Sequence, residues 1–419
     1  MAEVTNYIDR LVAELCPDGV EYRPLGEIAD VTSGYVFPVK YQGNEKSAED
    51  NIPFYKVSDM NLPGNEMFMT SSNNYVSAES AKEMRASLAQ SESIIFPKIG
   101  AAIATNKKRI LTEKSIVDNN VMVVTARSVI NSKFLYYVLS GFDLMSWSMG
   151  AGAVPSIKKS VVVKHEVPVP PMEIQEAIVE ILDKFTNLEA ELEAELEART
   201  LQYEYYRDLL LASFSEPAVK FYSIEELFTT RNGYTPSKSN SSYWENGTVP
   251  WFRMEDIREN GGVLSEALQS VHESALKKGG MFPAGSVIVA TSATIGEHAL
   301  INVDFLCNQR FTVLTPKEEF KSLLSPKFLY YYSFVLDRWC LSNTTQSSFA
   351  SVDMKRFKKF EFPLPSLEEQ QRIVDILDRF DTLTTSLSEG LPAELAARRS
   401  QYEYYRDQLL TFPRKGENQ

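Results

Sequence analysis

The side chains in this sequence that could do chemistry are amides, hydroxyls and cations gathered in short polar segments. Asn119 and Asn120 stand opposite Asn308, Gln309 and Arg310 across an internal repeat. Lys107-Lys108-Arg109 forms a short basic run, and Ser148 and Lys158 lie within SWSMGAGAVPSIKKS at 146–160. The corresponding segment of the second half, SNTTQSSFASVDMKR at 342–356, holds Asn343, Thr344, Thr345, Gln346, Lys355 and Arg356. Lys56 is matched by Arg253, and Lys98 and Arg231 complete the set. These residue types read base edges in a groove or hold phosphate oxygens. The sets differ between the two halves, which suggests two readers with different preferences.

Enzymatic signatures are missing. There is no GxxxxGK[ST], no HExxH and no glycine fingerprint after a strand. Pro170-Pro171 is the only Pro-Pro pair, and no Asn/Asp-Pro-Pro-Tyr occurs. Asp304 with Glu319-Phe320-Lys321 matches the spacing of a metal-dependent nuclease, yet the equivalent stretch 126–131 of the first half holds no acid. His165, His272 and His298 are scattered, as are Cys16, Cys307 and Cys340. We therefore assign no catalytic residue and no metal ligand, and expect reduced thiols in a cytoplasmic protein. No apolar run approaches a membrane span, and the start MAEVTNYIDRLVAELC is an acidic amphipathic helix rather than a secretory signal.

The elements that must position these loops are helical. From Met172 to Ala212, Ile174, Ile178, Ile181, Phe185, Leu188 and Leu192 follow a heptad seam that Leu196, Tyr203, Tyr206 and Leu210 prolong. Neither Gly nor Pro interrupts it, and at 1.5 Å per residue the helix measures roughly 60 Å. Its partner follows Phe362, because QYEYYRD at 202–208 recurs at 401–407. The second helix gains about one turn around Gly390-Leu391-Pro392, which predicts a break, with Ser388 as cap and Pro392 starting a new helix.

The rest of the chain repeats as well. Gly34-Tyr35 matches Gly233-Tyr234, IPFYKVSDM at 52–60 matches VPWFRMEDI at 249–257, and SIIFPKIG at 93–100 matches SVIVATSATIG at 286–296. DNNVMVV at 118–124 matches CNQRFTV at 307–313, and KFLYY at 133–137 recurs at 327–331. The helix near residues 5–16 aligns with 204–215, so the repeat is cyclically cut. Short alternating apolar runs between turns predict an α+β fold with two mainly antiparallel-sheet domains. The expected layout is an N-terminal helix at 1–20, a domain at 21–165, a spacer helix at 166–215, a domain at 216–360, a spacer helix at 361–412 and a tail at 413–419. The two helices are expected to run antiparallel as a coiled coil, with the domains at opposite ends in pseudo-two-fold symmetry. The net charge of −13 is uneven: the three helical segments with the tail carry −16, and the two domains +3. An acidic helix face does not keep the domains from phosphate.

At this point the chain resembles the specificity subunit of type I restriction–modification systems. The resemblance covers nearly its whole length and rests on LCPDGVEYRPLGEIADVTSG at 15–34, VPVPPMEIQEAIVEILDKF, SLEEQQRIVDILDRF, SEGLPAEL and the two QYEYYRD helix ends. The first domain departs from the pattern: it has Gly34-Tyr35-Val36-Phe37-Pro38 where a GxTP-like turn is expected, and GAGAVPSI where the second has TTQSSFASV. The resemblance implies two target recognition domains, each reading half of a split, asymmetric site on double-stranded DNA. It also implies two modification (methyltransferase) subunits docked on the helices and restriction (translocase/nuclease) subunits further out. S-adenosylmethionine, ATP and Mg then belong to those partners, and this chain is non-catalytic. The partner-subunit surface is expected at Tyr203, Tyr205, Tyr206, Arg207 and Leu209 and at Tyr402, Tyr404, Tyr405, Arg406 and Leu409, where a second apolar stripe suggests a further helix. The alternative is a coiled-coil adaptor whose two globular domains bind proteins.

Overall fold

The structure is a computed structural model. It describes every residue except 1, 37, 42–45, 47–50, 84, 150–153, 215–218, 346–349, 386–389 and 417–419. Two compact units divide the chain: Met1–Glu191 with Leu395–Gln419, and Leu192–Glu394.

In the first unit, helix α1 (Ala2–Leu15) precedes an open five-stranded sheet. Its order is Ala29–Ser33, Val121–Ala126, Ile94–Pro97, Arg109–Leu111, Phe68–Met69. All neighbours are antiparallel except the last pair. The central strand Ile94–Pro97 is buried at every residue, as a strand covered on both faces requires. A small sheet beside it joins Tyr75–Val76, Ile52–Tyr55 and Ile116–Val117. Helix α2 (Ser132–Ser140) carries the KFLYY motif, and Asn131 caps it by accepting from the amides of Lys133 and Phe134. Phe134, Leu135, Tyr137 and Leu139 of α2 are buried in the core.

Helix α3 (Met172–Ala212) runs its predicted forty-one residues without a break. The second unit repeats the sheets, with Phe228–Asn232, Phe311–Pro316, Ser286–Ala290, His298–Ile301 and Val263–Leu264 in the same order, again antiparallel but for the last pair. Helix α4 (Pro326–Ser342) repeats α2, and helix α5 (Leu367–Thr385) repeats the start of α3. Helix α6 (Gly390–Leu409) closes the chain. The expected break therefore lies between α5 and α6. Ser388 falls outside the described residues, and α6 starts two residues before Pro392. Gly390 has φ of 78°, and a Cβ there would come within 2.5 Å of the Thr382 carbonyl, so the turn demands glycine.

The heptad seam is divided between two tasks. Ile174, Ile178 and Leu182 are fully buried in the core of the first unit, so the first turns of α3 dock on the domain. Within that unit α3 then meets α6: Phe185 stacks on Tyr405 at 5.7 Å and faces Tyr402 at 6.4 Å, and Arg399 bridges Glu189 at 2.6 Å. In the second unit Ile373, Val374 and Leu377 dock α5 in the same way, and Phe380 stacks on Tyr203 and Tyr206.

Each helix is also pinned by polar groups. Gln175 is fully buried: its Oε1 accepts from the amide of Asn131 at 2.7 Å, and its Nε2 donates to the Pro170 carbonyl at 2.7 Å and that of Val129 at 3.3 Å. Two turns on, Asp183 accepts from Lys133 Nζ and from the Tyr137 hydroxyl, each at 2.6 Å. The second unit reproduces both devices. Gln370 accepts from the Ser325 amide and donates to the Leu323 and Pro365 carbonyls, while Asp378 accepts from Lys327 and Tyr331. Truncating Gln175 or Gln370 to Ala strands buried backbone groups, so each variant should lose about 2 kcal/mol or more of stability in chemical denaturation. A loss within a few tenths of a kcal/mol for both would show that water replaces the amide at no cost.

Candidate nucleic-acid interface

In each unit three loops meet at one end of the large sheet, and the backbone fixes them before any side chain matters. In the first unit the tight turn at 118–121 closes with the Val121 amide on the Asp118 carbonyl at 2.9 Å, and Asp118 Oδ1 accepts from the Asn120 amide at 2.8 Å. The Lys98 amide donates to the Asn120 carbonyl at 2.9 Å, and the Lys98 carbonyl accepts from Ile157 at 2.8 Å. Ile157 belongs to the hairpin that pairs Ser148–Met149 with Ser156–Ile157. Lys98, Asn119, Asn120, Ser148 and Lys158 are thus brought to one edge.

The second unit makes the same bonds with other residues. Phe311 bonds back to Asn308 at 3.3 Å, Asn308 Oδ1 accepts from the Arg310 amide at 3.0 Å, and the Thr291 amide donates to the Arg310 carbonyl at 3.0 Å. Val352 then bonds to Thr291 at 2.9 Å, from a hairpin that pairs Thr344–Thr345 with Ser351–Val352. Asn308, Gln309, Arg310, Thr344 and Thr345 share this edge. Asn343, Lys355 and Arg356 stand at the hairpin's base, where Arg356 Nη1 reaches Asn343 Oδ1 at 3.5 Å. Gln346 lies outside the described residues.

This bonding corrects the sequence alignment by one residue. Phe54 pairs with Ile116 and Trp251 with Leu306, which makes Asp118 the counterpart of Asn308, Asn119 of Gln309, and Asn120 of Arg310. It also pairs Gly100 with Ala293, since both donate to the hairpin, at Pro155 and Ala350. Their φ angles are 81° and 66°. Gly34 and Gly233 lie against the turns: a Cβ would come within 1.9 Å of the Asp118 carbonyl oxygen in one unit and 2.2 Å of the Asn308 carbonyl oxygen in the other. No larger residue fits.

Several expected contacts are used inside the protein instead. Lys108 is 3% exposed and donates to Asn106 Oδ1 and the Phe142 carbonyl. Arg109 is half-buried and donates to the carbonyls of Lys108 and Met60. Lys107 donates to Asn61. Arg231 ties down the carbonyls of Gly279, Gly280 and Met281 and lies 4.0 Å over the ring of Phe282. The basic run fails as a phosphate site because Lys108, one residue before the strand Arg109–Leu111, is buried and held by Asn106 and the Phe142 carbonyl. Lys56 and Arg253 each open a helical turn with the backbone amide bound to buried Asp59 or Asp256 at 2.7 Å, which leaves their half-buried cationic ends near the edge. Asp304 caps the Ala284 amide at 2.9 Å, and among the described residues no three His, Cys, Asp or Glu side chains group to hold a metal.

The second unit adds a concavity that sequence reasoning missed. A cavity of about 680 Å³ is walled by Trp244 and Trp251, which meet edge to face at 5.1 Å, and is rimmed by Arg253, Gln269, Gln309 and Arg310. Its signal was the pair of tryptophans that follows the SKSNSS segment at 237–242.

The expected helical surface divides likewise. Tyr205, Tyr206 and Leu209 are exposed, as is Tyr404, and Leu201 extends the stripe at the same four-residue spacing. Tyr203 and Leu409 are buried in the cores of their own units, and Tyr402 and Tyr405 pack on Phe185. Arg207 lies 4.2 Å over the ring of Phe334, and Arg406 is taken by Asp407 at 2.8 Å. These six therefore serve internal packing first.

Residues 17–198 and 218–397 each match the sequence profile of a family described as type I restriction modification DNA specificity domain. The Escherichia coli EcoprrI specificity subunit is 53% identical over 201 residues, 46% of this chain and 50% of that protein. The EcoR124I/EcoR124II specificity subunit of E. coli is 42% identical over 250 residues, 58% of this chain and 60% of that protein. The matches thus span about half the length of these relatives. A Haemophilus influenzae specificity subunit is 26% identical across 94% of this chain and 96% of its own. Among solved structures, a chain from a type I restriction–modification system covers 94% of this chain and 97% of its own at TM-score 0.62 and 17% identity. The HsdS subunit of Thermoanaerobacter tengcongensis covers 94% and 96% at TM-score 0.51 and 18% identity.

Lys108 gives the first unit a pH signature. Burial draws its ammonium down to about 8, against the opposing pull of Asp143. The unfolded chain holds that proton up to its ordinary value of 10.5, so it binds more protons than the folded one between these limits, and stability rises with pH there. Measured relative to Lys108→Met, the thermal midpoint of the native chain should rise between about pH 7.5 and 9.5. A difference that stays flat would mean that the folded protein sheds no proton from this lysine.

Proposed function

The chain belongs to the type I restriction–modification DNA specificity family, and we propose from that premise that it is the sequence-reading subunit of such a complex. Each unit reads one half of a bipartite, asymmetric site on double-stranded DNA, and the clamped helices set the unread interval. The observation that carries this reading is the repeated edge: one backbone scaffold, bond for bond, presenting Asp118, Asn119 and Asn120 in one unit and Asn308, Gln309 and Arg310 in the other. Shared scaffold with divergent side chains is what two readers of different half-sites need.

The chain itself performs no bond-making step in this proposal. Two modification subunits dock on exposed helical residues, Leu201, Tyr205 and Leu209 in the second unit and Tyr404 in the first, and restriction subunits join them. S-adenosylmethionine, ATP and Mg are bound by those partners, and the complex works in the cytoplasm. Among the described residues no helix is long and apolar enough to cross a membrane. The adaptor alternative gains no support from the family match.

Methylated adenine should be mapped genome-wide in a host expressing the chain with its modification subunits. Methylation is expected at a split motif, and exchanging residues 21–165 for those of a relative should change only one half of it. Methylation indifferent to the chain would overturn the proposal. In solution, with three helical segments carrying most of the negative charge, the isolated chain should bind DNA weakly and lose affinity steeply with salt, and the partners should tighten it. Nanomolar, site-specific binding by the chain alone in physiological salt would contradict that.

A further inference from the structure

The second unit holds one guanidinium that its own structure prepares and leaves unused. Arg310 sits third in the turn, and its backbone is fixed on both sides: the amide on Asn308 Oδ1 at 3.0 Å and the carbonyl under the Thr291 amide at 3.0 Å. Gly233 lies directly beneath. Its side chain is exposed at the rim of the 680 Å³ cavity and makes no hydrogen bond or ion pair among the described residues. The surrounding groups are committed. Gln309 accepts from Thr235, and the indole nitrogens of Trp244 and Trp251 donate inward to Ser237 and Tyr234 at 3.1 and 3.0 Å. Arg231 is spent on three carbonyls, and Arg253, which shares the rim, is half-buried 5.6 Å over the Trp251 ring and 3.9 Å from Glu255. A fork of donors on a rigid base, beside rigid aromatic walls, suits a fixed pair of acceptors better than a phosphate, which any flexible surface cation can hold.

Resting on the proposed function, we propose that Arg310 is a specificity-determining residue: it donates its fork to O6 and N7 of a guanine in the half-site read by the second unit. In a major groove this acceptor pair belongs to guanine alone, and arginine is the side chain that spans it. The counterpart in the first unit is Asn120, on the same backbone, whose shorter amide cannot make that pair of contacts. The two half-sites therefore differ at the position that this residue reads.

The test uses the complete complex and two readouts. Methylation mapping of Arg310→Ala, with Arg310→Lys as the conservative control, should show one G·C position of the second half-site relaxed, the first half-site unchanged, and partial retention by lysine. Duplexes in which 7-deazaguanine replaces guanine at that position remove N7 alone. The native complex should then bind about 10-fold more weakly or worse, whereas Arg310→Ala should be indifferent to the change. A wild-type split motif with no G·C pair in the second half would overturn the assignment. So would an Arg310→Ala complex that binds all sequences uniformly more weakly with a shallower salt slope, which marks a phosphate contact. If Arg310→Ala abolishes methylation, the deazaguanine duplexes decide with the Arg310→Lys complex. Absence of any chain-dependent motif would instead sink the proposed function, so the two failures are distinguishable.

Discussion

The structure depends on one buried amide and one carboxylate per unit, spaced eight residues apart on a helix. Gln175 and Asp183 hold α3 to the first domain, and Gln370 and Asp378 hold α5 to the second. Each amide satisfies one carbonyl of the preceding proline segment, Pro170 or Pro365, and two backbone groups at the approach to the KFLYY helix, Asn131 and Val129 or Ser325 and Leu323. The carboxylates take a lysine and a tyrosine from the KFLYY helix. Burial, with Asp183 second, pushes the Tyr137 hydroxyl far above its ordinary value, so this bond keeps its proton at any physiological pH. A reader whose register against its helix drifted could not address a split site, and polar bonds are directional where apolar packing alone allows sliding.

The same economy governs the reading edge. Its backbone is settled by a glycine on one side and an Asx bond on the other, so the exposed side chains are free to vary without refolding. One position shows how far such variation reaches inside. The strand pairings Ile94 with Ile110 and Val287 with Leu300 make Lys108 and His298 equivalents. Lys108 is buried near Asp143, while His298 is buried with its Nδ1 2.5 Å from Asp337. The acid at this place faces two different basic side chains, and both are buried.

Long-range organisation was legible in the sequence because it rests on periodicity. The unbroken α3, the break near Gly390, the two mainly antiparallel-sheet domains and the cyclic repeat follow from heptads, glycine and recurring motifs. Individual contacts were less legible. Sequence matching set Asn119 against Asn308, and only the pairings of Phe54 and Trp251 revealed the one-residue slip, because a turn of Asn and Gln looks alike in adjacent registers. Lys108 read as a surface cation, since a basic run does not show which of its members is buried ahead of the strand that follows. Tyr203 read as a docking residue, and Phe380 buries it. The cavity beside Trp251 was invisible because its residues come from four separate segments.

Charge segregation explains how an acidic chain can serve a polyanion. The acidic excess lies on helices whose exposed faces need only water, whereas the sheet-bearing domains are nearly neutral and slightly basic. Some cations within them are taken: Lys133 and Lys327 by the clamps, Arg231 by carbonyls, Arg127 by Asp30 at 2.6 Å. The rest are nearly balanced by the domains' own carboxylates, so non-specific attraction from this chain should be small. Under the proposed function, a reader built that way gains discrimination, because little of its affinity would be independent of sequence, and its phosphate contacts would have to come from elsewhere. The acidic helix faces would then have a positive use: they would repel DNA from themselves, and the exposed Leu201, Tyr205 and Leu209 would be left to an apolar partner.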